Sequence, residues 1–232
     1  SALRGKTPVT TVFCGEGEGL EYSAVQTGGD GISHIHCRMV TPKMEREVKV
    51  PALGAHMIYP SLMATAIGEH FGLTADEIER GILSFVPTRM RMNIIHRGDN
   101  VTILDDTYNA NPQSMRAAIN VLADGRSSWK VAVLGDMFEL GSFAPALHQG
   151  VGECLGKAGI DCLVAVGELA VHIAEGARSS GVPVVHSCAD KDEAKGVLPQ
   201  LIKPDSTILV KASRGMALEE LSAFLVEQTK AP

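Results

Sequence analysis

Residues 101–112 read VTILDDTYNANP, a short and largely apolar run that passes directly into acidic, aromatic and amide side chains. The end of this stretch is a typical helix start, because Asn111 suits the N-cap position and Pro112 the first helical position. A buried strand, a polar loop and a helix in direct succession are typical of sheets built from alternating β and α segments. This stretch therefore predicts an α/β fold.

The same alternation continues downstream of this stretch. Apolar runs are followed by helical patterns, and the runs lack the apolar–polar alternation of a strand with one solvated face. We therefore predict a Rossmann-like, doubly wound and mostly parallel sheet over residues 88–232. The predicted strands are 101–105, 131–134, 162–166, 182–185 and 207–210, and the predicted helices are 112–123, 144–158, 168–179, 190–199 and 216–227.

Residues 1–87 have a different pattern, with turns rich in glycine and charge between the apolar segments. We expect a separate unit of strands and helices here, ending near 87–90, where Pro87 closes the last helix. The predicted strands are 9–14, about 32–40 and 46–53, and the predicted helices are 58–71 and 73–85.

Composition excludes several classes of protein. The 232 residues are 45% hydrophobic and 21% charged, which is ordinary for a globular protein, and the formal net charge is −6. Without a dense block of Lys and Arg, nucleic acid is not expected as a partner. Five widely spaced cysteines without a CxxC pair indicate neither a disulfide framework nor a zinc site. This cysteine usage fits a reducing cytosol, so we expect a cytoplasmic protein. No apolar run approaches the length of a membrane span and no signal peptide is visible, so membrane insertion is not expected.

Three of the predicted strands run into polar segments: residues 105–112, the sequence GDMFELG at 135–141, and the sequence KASRG at 211–215. Because ligands of open α/β sheets bind beyond the carboxyl ends of the strands, these segments should meet along one edge. Their carboxylates, amides, hydroxyl and cations suit a ribose, a phosphate and a small zwitterionic substrate. The sequence therefore predicts one binding cleft at this edge.

Within the first polar segment, each candidate has a structural alternative. At least one of Asp105 and Asp106 is expected to accept hydrogen bonds from ribose hydroxyls, because a turn needs only one carboxylate. Tyr108 could stack on a base or fill a gap between domains. Asn111 could contact a ligand or serve only as the helix cap.

In the other segments, Lys211 and Arg214 precede the last helix, where cations oppose the helix dipole. An anionic ligand would relieve them, and a surface ion pair is the alternative. Glu139 could bind a ligand or be a solvated loop charge. Arg91, near the boundary between the units, could reach a phosphate or form a salt bridge.

The histidines are weaker candidates. His148, one turn into its helix, and His56, ahead of a helix, could have purely structural roles. His34 and His36 alternate on a predicted strand, but no third ligand lies near enough in sequence to favour a metal site.

Two nucleotide-binding motifs are also missing. There is no GxxxxGK[ST] phosphate loop, which Gly5-Lys6-Thr7 only echoes, and no GxGxxG that would indicate a nicotinamide or flavin cofactor.

Residues 105–115, DDTYNANPQSM, closely resemble the DDSYNANPxSM signature of the MurF branch of the Mur ligases. Three further stretches are similar to segments of the same family: GAHMIYPSLMATA at 54–66, VLGDMFELG at 133–141 followed by His148, and VKASRGM at 210–216. Sister ligases differ in the first signature, which makes it the most specific of the four. The family comprises UDP-N-acetylmuramoyl-tripeptide–D-alanyl-D-alanine ligases.

The resemblance implies ATP-driven amide formation with Mg²⁺, acting on UDP-N-acetylmuramoyl-tripeptide and D-alanyl-D-alanine. It also implies that residues 1–87 are the second half of a central ATPase domain and that residues 88–232 are the complete carboxyl-terminal domain. The phosphate loop and most Mg²⁺ ligands would then lie upstream, and this fragment would be inactive alone.

Residue roles follow from the same resemblance. ATP would be contacted by His56, Arg91, Asp106, Tyr108 and Asn109. The substrates, mainly the dipeptide and the reacting end, would be contacted by Asn111, Ser114, Asp136, Glu139, His148, Lys211, Ser213 and Arg214.

Two positions depart from the family pattern. Pro60 stands where the family has an adenine-binding asparagine, and Ala212 replaces a glycine. If residue 212 needs a positive φ, the alanine costs on the order of 1 kcal/mol. A diverged nucleotide- or dipeptide-binding module without catalysis, or a sister ligase of the folylpolyglutamate-synthase type, are the alternative functions.

Overall fold

The computed structural model describes residues 11–16, 20–29 and 33–231. The chain divides into two compact units between Val86 and Pro87. Within the described residues, no helix is both long and apolar enough to cross a membrane.

In the described part of the first unit, four strands form one sheet in sequential order. They are β1 (Cys14–Gly15), β2 (Tyr22–Gly29), β3 (Ile35–Val40) and β4 (Glu45–Val50). β1 and β2 run parallel, and the other neighbours run antiparallel. Alternate residues of β3, such as Cys37 and Met39, are fully buried, whereas Arg38 and Val40 point to solvent. One face of this sheet therefore forms a core and the other face is solvated.

Two helices cover the buried face of this sheet: α1 (Ile58–His70) and α2 (Ala75–Leu83). Ile58 and Leu62 of α1 and Ile78 and Ile82 of α2 pack against the strands. α2 begins with a capping box, in which the Thr74 hydroxyl accepts the Glu77 N–H and the Glu77 carboxylate accepts the Thr74 N–H. The predicted helices 58–71 and 73–85 are confirmed.

The strand predictions were less accurate in the first unit. The strand predicted at 9–14 is wrong over 11–13, which are irregular, and residues 9 and 10 lie outside the described residues. The strands predicted near 32–40 and at 46–53 correspond to β3 and β4, with residue 32 outside the described residues. β2 was missed, because polar residues interrupt its sequence and it ends in two glycines, a residue type that is depleted in strands.

The described part of the second unit contains one six-stranded sheet in the order β5-β6-β10-β7-β8-β9. Only β5 runs antiparallel to its neighbour, so the predicted doubly wound, mostly parallel sheet is confirmed. The strands are β5 (Asn93–Arg97), β6 (Val101–Asp105), β7 (Trp129–Gly135), β8 (Cys162–Val166), β9 (Val184–Cys188) and β10 (Ser206–Lys211).

In the described part of the second unit, α3 (Pro112–Asp124), α4 (Ala144–Lys157), α5 (Ala170–Ser179) and α6 (Lys191–Val197) each connect one strand to the next along the chain from β6 to β10, and α7 (Glu219–Gln228) follows β10. Ala194 of α6 and Leu221 and Leu225 of α7 pack in one core layer with alternate residues of the strands. α3 and α5 pack on the sheet separately from that layer. The central strands β7, β8 and β10 are buried, as expected for parallel strands covered on both faces.

Each predicted strand and helix of the second unit corresponds to an observed element, with ends shifted by up to three residues. β5 was missed, since it is a short edge strand that begins just after Met92, a non-glycine residue with φ of +51°. The predicted strand 182–185 begins too early, because β9 spans Val184–Cys188.

Candidate functional site

The polar segments after β6, β7 and β10 meet along one edge of the six-stranded sheet. β10 lies between β6 and β7, so the three carboxyl ends are adjacent. Backbone hydrogen bonds continue past the strand ends: the Asp106 N–H donates to the Val210 carbonyl (3.0 Å) and the Ser213 N–H to the Asp136 carbonyl (3.0 Å). The predicted convergence of these segments is therefore confirmed.

The buried side chain of Lys211 fixes the first polar segment, residues 105–112. Its side chain is almost fully buried, and its Nζ donates to Asp106 Oδ2 (2.6 Å) and to the Asn109 carbonyl (2.7 Å). The second carboxylate oxygen of Asp106 accepts the backbone N–H of Met92 (3.0 Å). A buried ammonium requires such partners, because an unpaired charge in the interior is strongly unfavourable. The loop that starts at Asp106 is thus tied both to β10 and to the chain ahead of β5.

The second segment is braced by His148 and Asp136, which are both buried. His148 Nε2 accepts the Met137 N–H (2.9 Å), so Nδ1 carries the proton and donates to the Ala144 carbonyl (2.7 Å). Burial lowers the pKa of His148, which favours this neutral form. Asp136 Oδ1 accepts the Ala170 N–H at the start of α5 (2.7 Å). Both side chains therefore fix backbone, and neither His148 ring nitrogen is left for a ligand in this conformation.

The third segment packs tightly onto the second. Ser213 Oγ accepts the Phe138 N–H (2.8 Å) and lies 3.5 Å from the Ala110 carbonyl. A Cβ atom added to Gly135 would lie 2.8 Å from the Ala212 methyl group, so the alanine occupies the space that the glycine leaves. Ala212 is not among the residues with positive φ, and the cost considered for an alanine at this position does not arise.

Arg91 and Tyr108 form an exposed platform at this edge. The Arg91 guanidinium carbon lies 4.2 Å from the centre of the Tyr108 ring, a cation–π contact. The Tyr108 N–H donates to the Met90 carbonyl (3.0 Å). Met90 and Met92, on either side of Arg91, have φ of +61° and +51°, which is uncommon for residues other than glycine. This backbone shape places Arg91 against the ring.

Arg214 and Glu139 are also exposed at the edge. Arg214 Nη2 donates to Glu219 Oε1 (2.7 Å) and Nη1 lies 3.5 Å from the Met90 sulfur. The hydrogen bond to Glu219 raises the pKa of Arg214 and lowers that of Glu219. Arg214 and Lys211 thus already have carboxylate partners within the chain, as in the ion-pair alternative. Glu139 sits at φ of +63° in the loop after β7.

Asn111 and Ser114 cap α3. The Asn111 side-chain oxygen accepts the Ser114 N–H (2.8 Å), and the Asn111 N–H donates to Ser114 Oγ (3.0 Å). The capping alternative for Asn111 is therefore observed, and Ser114 completes the box. Just ahead of the cap, Asn109 is exposed and its side-chain oxygen accepts the Ala110 N–H (2.9 Å). The cap fixes where the first polar segment ends.

Two further candidates lie in the first unit. His56 is exposed in a short 3-10 turn, Ala55–Met57, directly ahead of α1. Pro60 is exposed in the first turn of α1, where a proline is tolerated because the first helical N–H groups have no partner within the helix. Among the described residues, no group of three or more His, Cys, Asp or Glu side chains could hold a metal ion.

Several residues with a role in the site were missed by sequence reasoning. Thr107 is buried and donates to Asp105 Oδ1 (2.7 Å), which also accepts Ser222 Oγ of α7 (3.3 Å). Asp105 therefore ties the loop to α7, while Asp106 faces Lys211. Glu219 was overlooked as the partner of Arg214, although an acidic residue in the first turn of a helix five positions later was a usable signal.

The site thus has two layers. Buried groups, namely Lys211, Asp136, His148 and Ser213, hold the three loops together. Exposed groups, namely Arg91, Tyr108, Asn109, Glu139 and Arg214, present cations, a carboxylate, an amide and an aromatic ring to solvent. Asp106 lies between the layers, since 16% of its side-chain surface is exposed to solvent. Such an edge can bind a molecule that combines a flat base, hydroxyl groups and negative charge.

The comparisons with known proteins all point to one family. The family model described as "Mur ligase, glutamate ligase domain" matches residues 90–214. The UDP-N-acetylmuramoyl-tripeptide–D-alanyl-D-alanine ligase of Bacillus subtilis is 36% identical over 188 residues, covering 79% of this chain and 41% of the relative. The enzyme of the same name from Escherichia coli is 39% identical over 189 residues, covering 81% of this chain and 40% of the relative. The chain therefore spans about 40% of the length of these relatives.

Solved structures agree with this result. A crystal structure of MurF from Acinetobacter baumannii superposes with a TM-score of 0.82 at 32% identity, covering 91% of this chain and 46% of that one. MurF from Thermotoga maritima, solved in complex with ADP, superposes with a TM-score of 0.75 at 22% identity and covers 91% of this chain. The second likeness supports the fold alone.

Proposed function

Because this chain belongs to the Mur ligase family, we propose that it supplies the carboxyl-terminal part of a cytoplasmic, ATP-dependent ligase that adds D-alanyl-D-alanine to a UDP-N-acetylmuramoyl-tripeptide. The observation that carries the proposal is the buried Lys211–Asp106 pair, which fixes the DDTYNANP segment at the sheet edge with Tyr108 and Arg91 exposed beside it. The names of the Bacillus subtilis and Escherichia coli relatives support the same reaction. Residues 1–87 are then the second half of a central ATPase domain, and residues 88–232 the carboxyl-terminal domain.

ATP is assigned to the exposed part of the edge after β6. Asp106 accepts from Lys211 and Met92, and its partly exposed carboxylate is assigned to the ribose hydroxyls. Tyr108 and Asn109 line the adenine side, where the ring offers a flat face and the amide offers a donor. Arg91 leaves or extends from the tyrosine ring to meet the phosphates, for which a guanidinium is well suited. For His56, in the first unit, a contact with ATP is proposed from the family resemblance alone.

The amine substrate is assigned to the exposed parts of the other two segments. Glu139 can pair with the ammonium group of the dipeptide, and Arg214 can pair with its carboxylate after exchanging its Glu219 partner. Asp136, His148, Ser213 and Lys211 are buried and act through the loops that they fix. Asn111 and Ser114 fix the end of the first loop through the helix cap. Substitutions of the exposed residues should therefore alter substrate binding, and substitutions of the buried and capping residues should alter folding.

The reaction consistent with this edge is amide formation in two steps. The γ-phosphoryl group of ATP passes to the terminal carboxylate of the precursor, giving an acyl phosphate and ADP. The neutral amine of D-alanyl-D-alanine then attacks the acyl carbon, inorganic phosphate leaves and the amine loses a proton. Cationic side chains at the edge stabilise the charge that accumulates on the transferring phosphoryl oxygens.

Magnesium is assigned to the part of the ligase outside this chain. When bound, Mg²⁺ neutralises charge on the ATP phosphates. The described residues hold no cluster of three or more suitable side chains, so no step is assigned to a metal ligand of this chain. Because the sequence has no GxxxxGK[ST] phosphate loop, we expect this fragment to be inactive in ATP hydrolysis when it is alone.

A second candidate function is a nucleotide- or dipeptide-binding module that has lost catalysis. It is favoured by Pro60, which stands where the resemblance places an adenine-binding asparagine and cannot offer a side-chain hydrogen bond.

The test is ligation by a chimeric protein in which the upstream part of the Bacillus subtilis relative is joined to this chain. With ATP, Mg²⁺, D-alanyl-D-alanine and UDP-N-acetylmuramoyl-tripeptide, the expected result is a product whose mass is that of the pentapeptide precursor. The chain alone should give neither product nor ADP, and its titration with a non-hydrolysable ATP analogue should show weak binding at best. D-Alanyl-D-lactate, offered as a competitor, tests the choice of dipeptide.

A folded chimera that binds ATP without forming product would favour the binding module and contradict the ligase proposal. Product formed with L-glutamate in place of the dipeptide would favour a sister ligase. The intact relative serves as the positive control for both assays.

A further inference from the structure

Phe138 is a large apolar residue exposed at the edge that the three polar segments form. It follows the buried Met137 in the loop after β7, and 42% of its surface is exposed to solvent. Its ring rests against the third segment, because a Cβ atom added to Gly215 would lie 2.9 Å from Phe138 Cε2 and 3.4 Å from Cδ2. The ring therefore lies beside the residue that follows Arg214 in the chain.

Phe138 is fixed on the third segment by its backbone as well as by its ring. Its N–H donates to Ser213 Oγ (2.8 Å). Gly215 is not among the residues with positive φ, so its backbone conformation does not require a glycine. The missing side chain at this position instead leaves the space that the ring occupies. The two segments thus hold an aromatic ring in a defined place that stays open to solvent.

The two residues that adjoin this contact carry the opposite charges assigned above to the amine substrate. Glu139 directly follows Phe138, Arg214 directly precedes Gly215, and both charged residues are exposed. A dipeptide zwitterion carries its side chains on the carbon atoms between its ammonium and carboxylate groups. An apolar ring beside those carbon atoms stabilises an apolar side chain, whereas a charged side chain would lose hydration there without gaining a partner.

We propose that Phe138 is a specificity-determining residue of the amine site, and that its ring contacts the apolar side chain of the dipeptide's carboxyl-terminal residue. This end of the dipeptide is chosen because the ring rests on Gly215, next to Arg214, to which the substrate carboxylate is assigned. The inference rests on the proposed function, which names the dipeptide. Covering one methyl group of the substrate should favour it over the analogue with hydrogen there by about fourfold.

The experiment measures kcat/KM of the chimera for D-alanyl-D-alanine, D-alanylglycine and glycyl-D-alanine. In Phe138→Ala, the preference for D-alanyl-D-alanine over D-alanylglycine should fall by about fourfold, and the preference over glycyl-D-alanine should not change. Phe138→Leu, which keeps an apolar side chain, should retain most of the first preference. Phe143→Ala is the matched control, since Phe143 is 70% exposed in the turn Gly141–Phe143 of the same loop, and it should change neither preference.

A purely structural role of Phe138 would lower kcat/KM for the three dipeptides by the same factor, and that result would overturn the proposal. A change only in the preference over glycyl-D-alanine would overturn the assignment to the carboxyl-terminal residue. Gly215→Ala is a second variant for the case in which Phe138→Ala does not fold. Its added methyl group displaces the ring, so it should lower the same preference as Phe138→Ala, and an unchanged preference would contradict the proposal.

A binding readout on this chain separates the proposal from the ligase function. Aromatic protein resonances are saturated in the presence of excess D-alanyl-D-alanine, and the transfer to each dipeptide methyl group is measured by NMR. Transfer should be stronger to the carboxyl-terminal methyl group, and the difference should be lost in Phe138→Ala.

The two proposals therefore fail in different ways. This transfer pattern without ligation by the chimera would contradict the ligase function and support the contact with Phe138. Ligation with unchanged preferences in Phe138→Ala would support the function and overturn the role of Phe138. Absence of transfer to either methyl group, in the chain and in the chimera, would also overturn that role.

Discussion

The two units of the chain differ in how completely their secondary structure is covered. In the second unit, the central strands β7, β8 and β10 are buried, and helices bury both faces of the sheet. In the first unit, helices cover one face of the sheet, and α1 exposes Tyr59, Met63 and Ile67 on its outer side. These features support the proposal that residues 88–232 are a whole domain and residues 1–87 part of a larger one. Functional groups follow the same division, because most candidate site residues lie in the second unit.

The largest effect is expected where the second unit holds its site together. Lys211→Met leaves the Asp106 carboxylate without its buried cation, and breaking one half of such a pair should lower the free energy of unfolding by roughly 3 kcal/mol. Urea denaturation followed by Trp129, the only tryptophan and a residue of the second unit, measures the change. Lys195→Met, which removes a more exposed pair with Asp192, should change it by less than about 1 kcal/mol. Equal effects of the two substitutions would contradict a structural role for Lys211.

The first unit offers the sharpest contrast between neighbouring residues. Leu62 is fully buried and Met63 is 53% exposed, so Leu62→Ala should destabilise the unit by about 3 kcal/mol and Met63→Ala by less than about 0.5 kcal/mol. The methyl resonance of Met39, which is buried in that unit, can follow its unfolding. Comparable losses from both substitutions would mean that the outer side of α1 is already covered within this chain.

A smaller effect is expected at the start of α3. Asn111→Ala removes the side-chain cap of the Ser114 N–H and should cost about 1 kcal/mol by urea denaturation. Gln113→Ala, an exposed position in the same turn, should be nearly neutral. In the chimera, a loss of ligation by Asn111→Ala much larger than its loss of stability would instead place Asn111 in contact with substrate.

The smallest effect is a pH dependence of the second unit. The pKa of His148 is lowered by burial, so the unfolded chain takes up a proton near pH 6.5 more readily than the folded protein does. Stability present above that pH is therefore lost as the pH falls through the lowered pKa of His148. His148→Gln should flatten the pH profile of the unfolding free energy relative to the unsubstituted chain. If the pH profile of His148→Gln runs parallel to that of the unsubstituted chain, groups other than His148 cause the pH dependence.

The same division between the units decided how well the sequence predicted the fold. In the second unit, β8 was predicted residue for residue and α3 to within one residue, because buried parallel strands are continuous apolar runs. In the first unit, β2 was missed, since a strand with one solvated face and two glycines has little apolar signal. The antiparallel edge strand β5 was missed for a related reason, because it is short and only partly buried.

For the site, the sequence predicted which segments meet, and the pairings within them needed coordinates. The position of Asp106, Asp136 and Lys211 at strand ends was sufficient to predict a common edge. That Lys211 would turn inward to Asp106 could not be predicted, because a lysine after a strand is usually solvated. Nor does the sequence indicate that His148 accepts the Met137 N–H, a contact set by the packing of α4 on the loop after β7.

Amide hydrogen exchange on the intact chain tests the difference between the units most directly. If the second unit is complete and the first lacks its cover, the amides of β6, β7 and β10 should exchange far more slowly than those of β2, β3 and β4. Addition of the upstream part in the chimera should slow exchange in β2–β4 and in α1 while leaving the second sheet unchanged. Equal protection of the two sheets in this chain alone would contradict the conclusion that the first unit is incomplete.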